Sequence, residues 1–123
     1  MNWEKTPPEM VELFDASLPD DPAVQRRKMF GFPAAFVNGN MFASMHQAQM
    51  VVRLPKDQYD VLLAIPGAAP FEPMPGRAMS GYAVLPEAVR DDRTSSRAWL
   101  ERAFVNAAAM PAKQRKPAAK RKR

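Results

Sequence analysis

The chain has 123 residues, of which 46% are hydrophobic and 25% charged, a composition typical of one globular domain. It has no cysteine and one histidine, His46, which excludes disulfide frameworks and thiolate nucleophiles and argues strongly against a zinc site. The net charge of +5 hides an asymmetry, because seven of the 18 basic residues follow residue 112; without them 11 basic residues stand against 13 acidic ones, about −2.

The N-terminal stretch MNWEKTPPEM has acidic residues and prolines where a signal peptide needs a basic start and an apolar core. No apolar run approaches the length of a membrane span. We therefore expect a cytoplasmic protein with no membrane partner. Residues 7–18 predict a first helix, because a proline fits its first turn and four apolar residues recur at helical spacing: Met10, Leu13, Phe14 and Leu18.

Residues 24–54 favour strands, and Asn38-Gly39 is a strong hairpin signal because both positions of a type I′ turn need positive φ. A two-residue loop there pairs Phe36 with Met41, and a loop at residues 46–49 adds a further strand. This register predicts one apolar core face: Phe32, Ala34, Phe36, Met41, Ala43, Met45, Met50, Val52 and Leu54. The reverse face then holds Ala35, Val37, Phe42, Ser44, His46, Val51 and Arg53.

The stretch VQRRKM is predicted to pair with this sheet. Simple alternation would place Arg26 and Lys28 on the Phe32 face, so we expect a bulge or kink at residues 31–33. Residues 56–67 predict a second helix that buries Tyr59, Leu62 and Leu63 and stops at Pro66-Gly67. FEPM and RAMSGYAVLP predict two further short strands.

A last helix is predicted to begin near Asp92, Thr94 or Ser95 and to bury one stripe: Trp99, Leu100, Ala103, Phe104 and Ala107. The predicted fold is α+β with two layers, an antiparallel sheet of five to six strands with helices packed on it, in the order α-β-β-β-β-α-β-β-α. Residues 1–110 form this domain. Residues 111–123 have nothing to bury and are expected to be a disordered basic tail.

The blocks RRKMFGFPAAFVNGNMFASM, VVRLP, PGAAPFEPMPGRAMSGYAVLP and AWLERAF resemble the TfoX/Sxy N-terminal domain family over roughly residues 10–110. The resemblance implies a two-layer α+β domain and a link to regulators of natural competence, which promote transcription in bacteria. Phe32 stands where the family block has its second glycine. Longer members carry a C-terminal helical domain, so the resemblance implies a standalone N-terminal domain here.

The candidate ligand or partner surface is cationic: Arg26, Arg27, Lys28, Arg53 and Arg77, with Phe42 predicted opposite Arg53. The resemblance places Arg27, Lys28 and Arg77 in recurrent family blocks. The alternative is that these cations only pair with surface acids. His46 is expected to be solvated at a turn, and Asp91-Asp92 to serve capping and helix-dipole chemistry.

The tail is a candidate nucleic-acid ligand because seven cations occur there without an acid: Lys113, Arg115, Lys116, Lys120, Arg121, Lys122 and Arg123. The leading hypothesis is a non-enzymatic regulatory or adaptor domain that contacts a protein partner and associates nonspecifically with nucleic acid through this tail. The alternative is a binder of a small anionic or phospho-ligand. No catalytic residue, metal or cofactor is predicted, and the reverse sheet face leaves a homodimer open.

Overall fold

The structure, a computed structural model, describes residues 6–29, 31–73 and 76–111. Its elements are α1 (Pro8–Ser17), β1 (Gln25–Met29), β2 (Phe32–Val37), β3 (Asn40–His46), β4 (Gln49–Arg53), α2 (Lys56–Leu63), β5 (Ala69–Pro70), β6 (Tyr82–Val84), α3 (Glu87–Asp91) and α4 (Arg93–Ala108). The strands form one antiparallel sheet in the order β1-β2-β3-β4-β6-β5. The α+β class and the element order are confirmed; the short helix α3 was not predicted.

All four helices pack on one face of the sheet, where they enclose the main core. The helix α1 follows Pro7 and buries Phe14, and α4 buries the predicted stripe from Trp99 to Ala107. The hydroxyl groups of Ser17 and Ser96 lie 3.0 Å apart between these two helices. Each of these buried hydroxyl groups therefore has a hydrogen-bond partner within the protein. None of the helices in the described ranges is long and apolar enough to cross a membrane.

The β2–β3 hairpin turns at Asn38-Gly39, where φ is 55° and 77° respectively, as a type I′ turn requires. Next to the turn, Phe36 pairs with Met41 as predicted. The following pair is not the predicted one, because Ala35 lies opposite Ala43 and Phe42 is an extra residue in β3. This β-bulge shifts the register by one residue, and a one-residue shift moves side chains to the other face.

The predicted core face is therefore wrong for β2 and correct for most of β3 and β4. Five predicted members lie in the main core: Ala43, Met45, Met50, Val52 and Leu54. Phe32, Ala34, Phe36 and Met41 are not part of it, and Ala35, Val37 and Phe42 take their place. The bulge lets Phe42 and Ala43 both face the helices, so a strict two-residue alternation fails at this point.

The conflict at β1 is resolved by a tight turn, not by the predicted kink at residues 31–33. Met29 already pairs with Phe32, and Gly31 has a φ of 83°, a value that glycine adopts without strain. Arg26 then lies opposite Ala35 on the helix side, while Arg27 lies opposite Ala34 on the other side. The strand thus presents cations on both faces of the sheet.

The last two strands differ from the prediction in position, because β5 begins earlier than predicted and β6 occupies only the later part of its predicted stretch. The strand β5 covers Ala69–Pro70 and precedes FEPM, whereas β6 lies inside RAMSGYAVLP as predicted. We call the described residues between them, 71–73 and 76–81, the strap. The backbone N–H of Met79 donates to the carbonyl of Phe71 at 2.9 Å, and both side chains pack with Val51 and Val84 in a second, smaller cluster.

Candidate functional site

The second face of the sheet is called the helix-free face below, because within residues 6–29, 31–73 and 76–111 the helices pack only on the opposite side. Cross-strand pairing places on it alternate residues of the five longer strands: Gln25, Arg27, Met29, Phe32, Ala34, Phe36, Met41, Ser44, His46, Gln49, Val51, Arg53, Tyr82 and Val84. The strap covers the part of this face nearest β6.

The middle of the helix-free face is an aromatic row. The ring centroid of His46 lies 5.0 Å from that of Phe32 and 5.3 Å from that of Phe71. His46 is half-buried between them, so the prediction of a solvated histidine is wrong. His46 is covered through a tertiary contact, because Phe71 reaches it only when the strap folds back over the sheet.

Two guanidinium groups lie over aromatic rings at opposite sides of this row. The Arg27 guanidinium carbon is 5.0 Å from the centroid of Phe36, and that of Arg53 is 5.7 Å from the centroid of Tyr82. Three strand spacings, about 14 Å, separate the two arginines across the sheet. The Tyr82 hydroxyl donates to the carbonyl of Met41 at 3.2 Å, which fixes the ring under Arg53.

Burial raises the pKa of Tyr82 above its ordinary value, and the positive charge of Arg53 opposes that rise. Because the native state holds this proton more tightly than the unfolded state, the group's contribution to stability falls as pH increases above about 10, the ordinary pKa of tyrosine. The phenol and the guanidinium are therefore coupled across the face.

This coupling can be measured in a Tyr59→Phe background, which leaves Tyr82 as the single tyrosine. We expect its phenol to titrate above the ordinary range, and Arg53→Met to raise its pKa further because the opposing charge is removed. Tyrosinate absorbance during a native-state pH titration reads both values. An unchanged or lower pKa in Arg53→Met would contradict the contact.

A cleft of about 600 Å³ opens beside Arg53, where the end of β4, the start of α2, the strap and the end of α4 meet. Its polar lining includes Arg53, Lys56, Tyr59, Ser80 and Asn106. The Lys56 ammonium also pairs with the Asp60 carboxylate at 3.1 Å on the exposed surface of α2. The cleft combines two cations with hydroxyl and amide groups, a set suited to a small anion.

The predicted cationic residues do not form one cluster. Arg26 and Lys28 are exposed on the helix side of β1, and Arg26 lies 3.4 Å from the Asp15 carboxylate. Arg77 is exposed in the strap. Only Arg27 and Arg53 share the helix-free face.

Phe42 is a correction to the predicted surface. Its side chain is fully buried in the main core, and its ring meets that of Phe104 edge to face with centroids 5.5 Å apart. Tyr82, and not Phe42, is the aromatic partner of Arg53. The bulge that turns Phe42 toward the helices is the physical reason.

Asp91 and Asp92 have separate structural roles. A hydrogen bond from Arg90 lowers the pKa of Asp91, and the same arginine donates to the carbonyl of Ala48 in the β3–β4 turn at 2.9 Å. Asp92 occupies the N-cap position of α4, and its carboxylate accepts a hydrogen bond from Ser95 at 2.7 Å. Among the residues that the structure describes, no group of three acidic or histidine side chains could hold a metal ion.

Charge is segregated between the two layers. None of the six strands contains an aspartate or glutamate, whereas they carry four cations: Arg26, Arg27, Lys28 and Arg53. The described acidic residues lie in helices and loops. Of these four cations, Arg27 and Arg53 lie on the helix-free face, and the strap over part of that face carries one exposed acid, Glu72.

Sequence reasoning missed Phe71, Met79, Tyr82 and the cleft. Tyr82 had a usable signal, since it lies in a predicted strand and aromatic residues near arginine suit recognition. The cleft had none, because its lining comes from four separate stretches of chain. The basic tail and Met74-Pro75 lie outside the described residues.

A family model described as the TfoX N-terminal domain matches residues 16–107, which is most of the chain. The match covers every element of the sheet and all of α2 and α3, together with nearly all of α4. No curated protein and no solved structure shows a significant match.

Proposed function

Because this chain belongs to the TfoX N-terminal domain family, we propose that it is a non-enzymatic regulatory or adaptor domain that binds an acidic protein partner through its helix-free face. In this proposal the basic segment after Pro111 adds nonspecific association with nucleic acid and keeps the domain near DNA or RNA. A role in transcription regulation follows from the combination of these two activities.

The observation that carries the proposal is the pair of arginine–aromatic contacts on the helix-free face. Arg27 lies over Phe36 and also donates to the Gln25 side chain at 3.3 Å, and Arg53 lies over Tyr82. Among the residues that the structure describes, neither guanidinium group has an ion-pair partner. Arginine and tyrosine are, with tryptophan, the residue types enriched at the energetic centres of protein interfaces. The strands place two arginines and no acid on this face, so the part of it that the strap, with Glu72, leaves uncovered is complementary to a negatively charged partner.

The test is capture of partner protein from nuclease-treated extract by the intact chain. We expect the double variant Arg27→Ala/Arg53→Ala to capture at least about tenfold less partner protein than the unaltered chain, because interface arginines often contribute a large share of the binding energy. Arg93→Ala/Arg97→Ala is the matched control, because it removes the same charge from exposed positions of α4. Equal loss in both variants, or capture that depends on nucleic acid, would contradict the proposal.

The structure supports a defined starting point for the basic segment. The amide of Asn38 donates to the carbonyl of Ala108 at 3.1 Å, and the amide of Asn40 donates to the carbonyl of Pro111 at 3.2 Å. The tip of the β2–β3 hairpin therefore holds the chain at the point after which the seven cations begin.

The cleft beside Arg53 favours a second candidate function, the binding of a small anionic or phospho-ligand. Its volume of about 600 Å³ suits a metabolite, and Arg53 and Lys56 supply positive charge. A ligand that binds only the native state must raise the unfolding temperature. A thermal-shift screen with inorganic phosphate, nucleotides and dicarboxylates tests this candidate, and silence across all three classes would count against it.

A further inference from the structure

The two edges of the sheet are unequal. The strand β1 forms one edge with five residues, four of them exposed. The strand β5 forms the other edge with two residues, one of which is Pro70. Because proline cannot donate a hydrogen bond and two residues make too short a ladder, β1 is the edge suited to accept another strand.

Pro33 shows which backbone groups of β1 point away from β2. Lys28 pairs with Pro33, and since proline has no N–H this pair belongs to the non-hydrogen-bonded kind. In an antiparallel pair, the N–H and C=O of such a residue point away from its partner strand. The alternation repeats every second residue, so the backbone groups of Arg26 and Lys28 both face outward from the sheet edge.

The side chains of this edge select the charge of an incoming strand. Arg26, Arg27 and Lys28 are consecutive, so they present cations above and below the backbone groups that are free. The nearby Asp15 carboxylate is half exposed at 3.4 Å from Arg26, and such surface pairs are weak. Two copies of β1 paired antiparallel would set cation against cation, which disfavours self-association through this edge.

We propose that β1 accepts an acidic extended segment of a partner protein as a seventh strand of the sheet. Main-chain hydrogen bonds to Arg26 and Lys28 supply affinity, and the three cations supply the preference for acidic side chains. Arg27 belongs both to this edge and to the helix-free face, so the added strand enlarges the surface proposed above. This inference rests on the proposed function in one respect, that the domain binds a protein.

The test uses the whole 123-residue chain and a short synthetic peptide that alternates glutamate with valine. We expect the peptide to slow hydrogen exchange of the Arg26 and Lys28 amides about tenfold or more. The same peptide with lysine in place of glutamate should leave them unchanged. Protection that is absent from β1, or equal for the two peptides, would overturn the proposal. Protection of these amides by a single-stranded oligonucleotide but not by the acidic peptide would overturn it as well.

Two substitutions at one position separate backbone pairing from charge. Lys28→Pro and Lys28→Ala lose the same charge, but only the proline variant loses an outward N–H, and neither breaks the ladder to β2. We expect Lys28→Pro to bind the acidic peptide about tenfold more weakly than Lys28→Ala, the effect of one lost main-chain hydrogen bond. Equal affinities would contradict strand addition. Arg26→Pro against Arg26→Ala repeats the comparison if Lys28→Pro does not fold.

The same variants distinguish this inference from the proposed function. If Lys28→Pro retains the captured protein that Arg27→Ala/Arg53→Ala loses, the domain binds its partner through the helix-free face and the edge proposal fails alone. If no protein is captured by the unaltered chain after nuclease treatment, the proposed function fails, while peptide protection of β1 still reports on the edge.

Discussion

Replacing Phe42 by alanine is expected to lower the free energy of unfolding by about 3–5 kcal/mol, the range for a large aromatic residue removed from a packed core. Phe42 is fully buried and touches the ring of Phe104, so its removal leaves a cavity between β3 and α4. The measurement is the shift of the denaturation midpoint at constant m-value in urea.

Phe36→Ala is the matched control for Phe42→Ala, because it removes the same side chain from the same hairpin. Phe36 is half-buried on the helix-free face beneath Arg27, so we expect it to cost roughly half as much or less. A hairpin without the bulge predicts the reverse order, with Phe36 in the core and Phe42 on the surface. Equal costs, or a larger cost for Phe36, would contradict the observed register.

Affinity for duplex DNA is expected to fall steeply with salt if the basic tail is the main contact. Seven phosphate contacts give a slope of log affinity against log salt of about −6, which is roughly a thousandfold loss between low and physiological salt. The full chain with all seven tail cations changed to glutamine should bind weakly and with a slope near zero. Binding isotherms at several salt concentrations give both slopes.

The folded part supplies the control for the tail. Changing Arg26, Arg27 and Lys28 to glutamine removes the cationic edge of β1 and leaves the tail intact, so the slope should change little. If that variant loses the salt dependence while the glutamine tail keeps it, the sheet edge is the nucleic-acid contact and the assignment to the tail is wrong. The sheet edge is a real competitor for the phosphates, because the strands carry cations and no acid that would repel them.

Much of the fold is predictable because it depends on neighbouring residues. The turn at Asn38-Gly39 is set by two residues that tolerate positive φ. The stripe of α4 is set by helical spacing, and the stop of α2 by Pro66-Gly67. These signals act within a few residues, so they survive in any tertiary context.

The faces of β2 are not predictable in this way. Nothing local marks Phe42 as an extra residue, and an alternating pattern of apolar residues fits the hairpin equally well without a bulge. The bulge is favoured when the helix layer is present, because Phe42 then packs against Phe104 on α4, which is 62 positions further along the chain. Contacts of that separation leave no mark in a short sequence window.

The candidate site shows the same division. Charge alone identified Arg27 and Arg53, but the predicted cluster around them is dispersed over both faces of the sheet. The partner ring of Arg53 depends on the pairing of β4 with β6, and the cleft beside Arg53 and the burial of His46 depend on the strap. Composition could show that cations are present, not which of them share a surface.

The sequence by itself determined most of the elements and their order, the hairpin turn and the family, because each follows from local backbone preferences or from ordered blocks of residues, whereas α3 and the position of β5 were not foreseen. Only the tertiary structure decided which side of the sheet each residue faces, which edge is free, and where cations meet aromatic rings. The reason is that strand register is fixed by packing against the helix layer, and a single extra residue in one strand reverses the assignment of its neighbour.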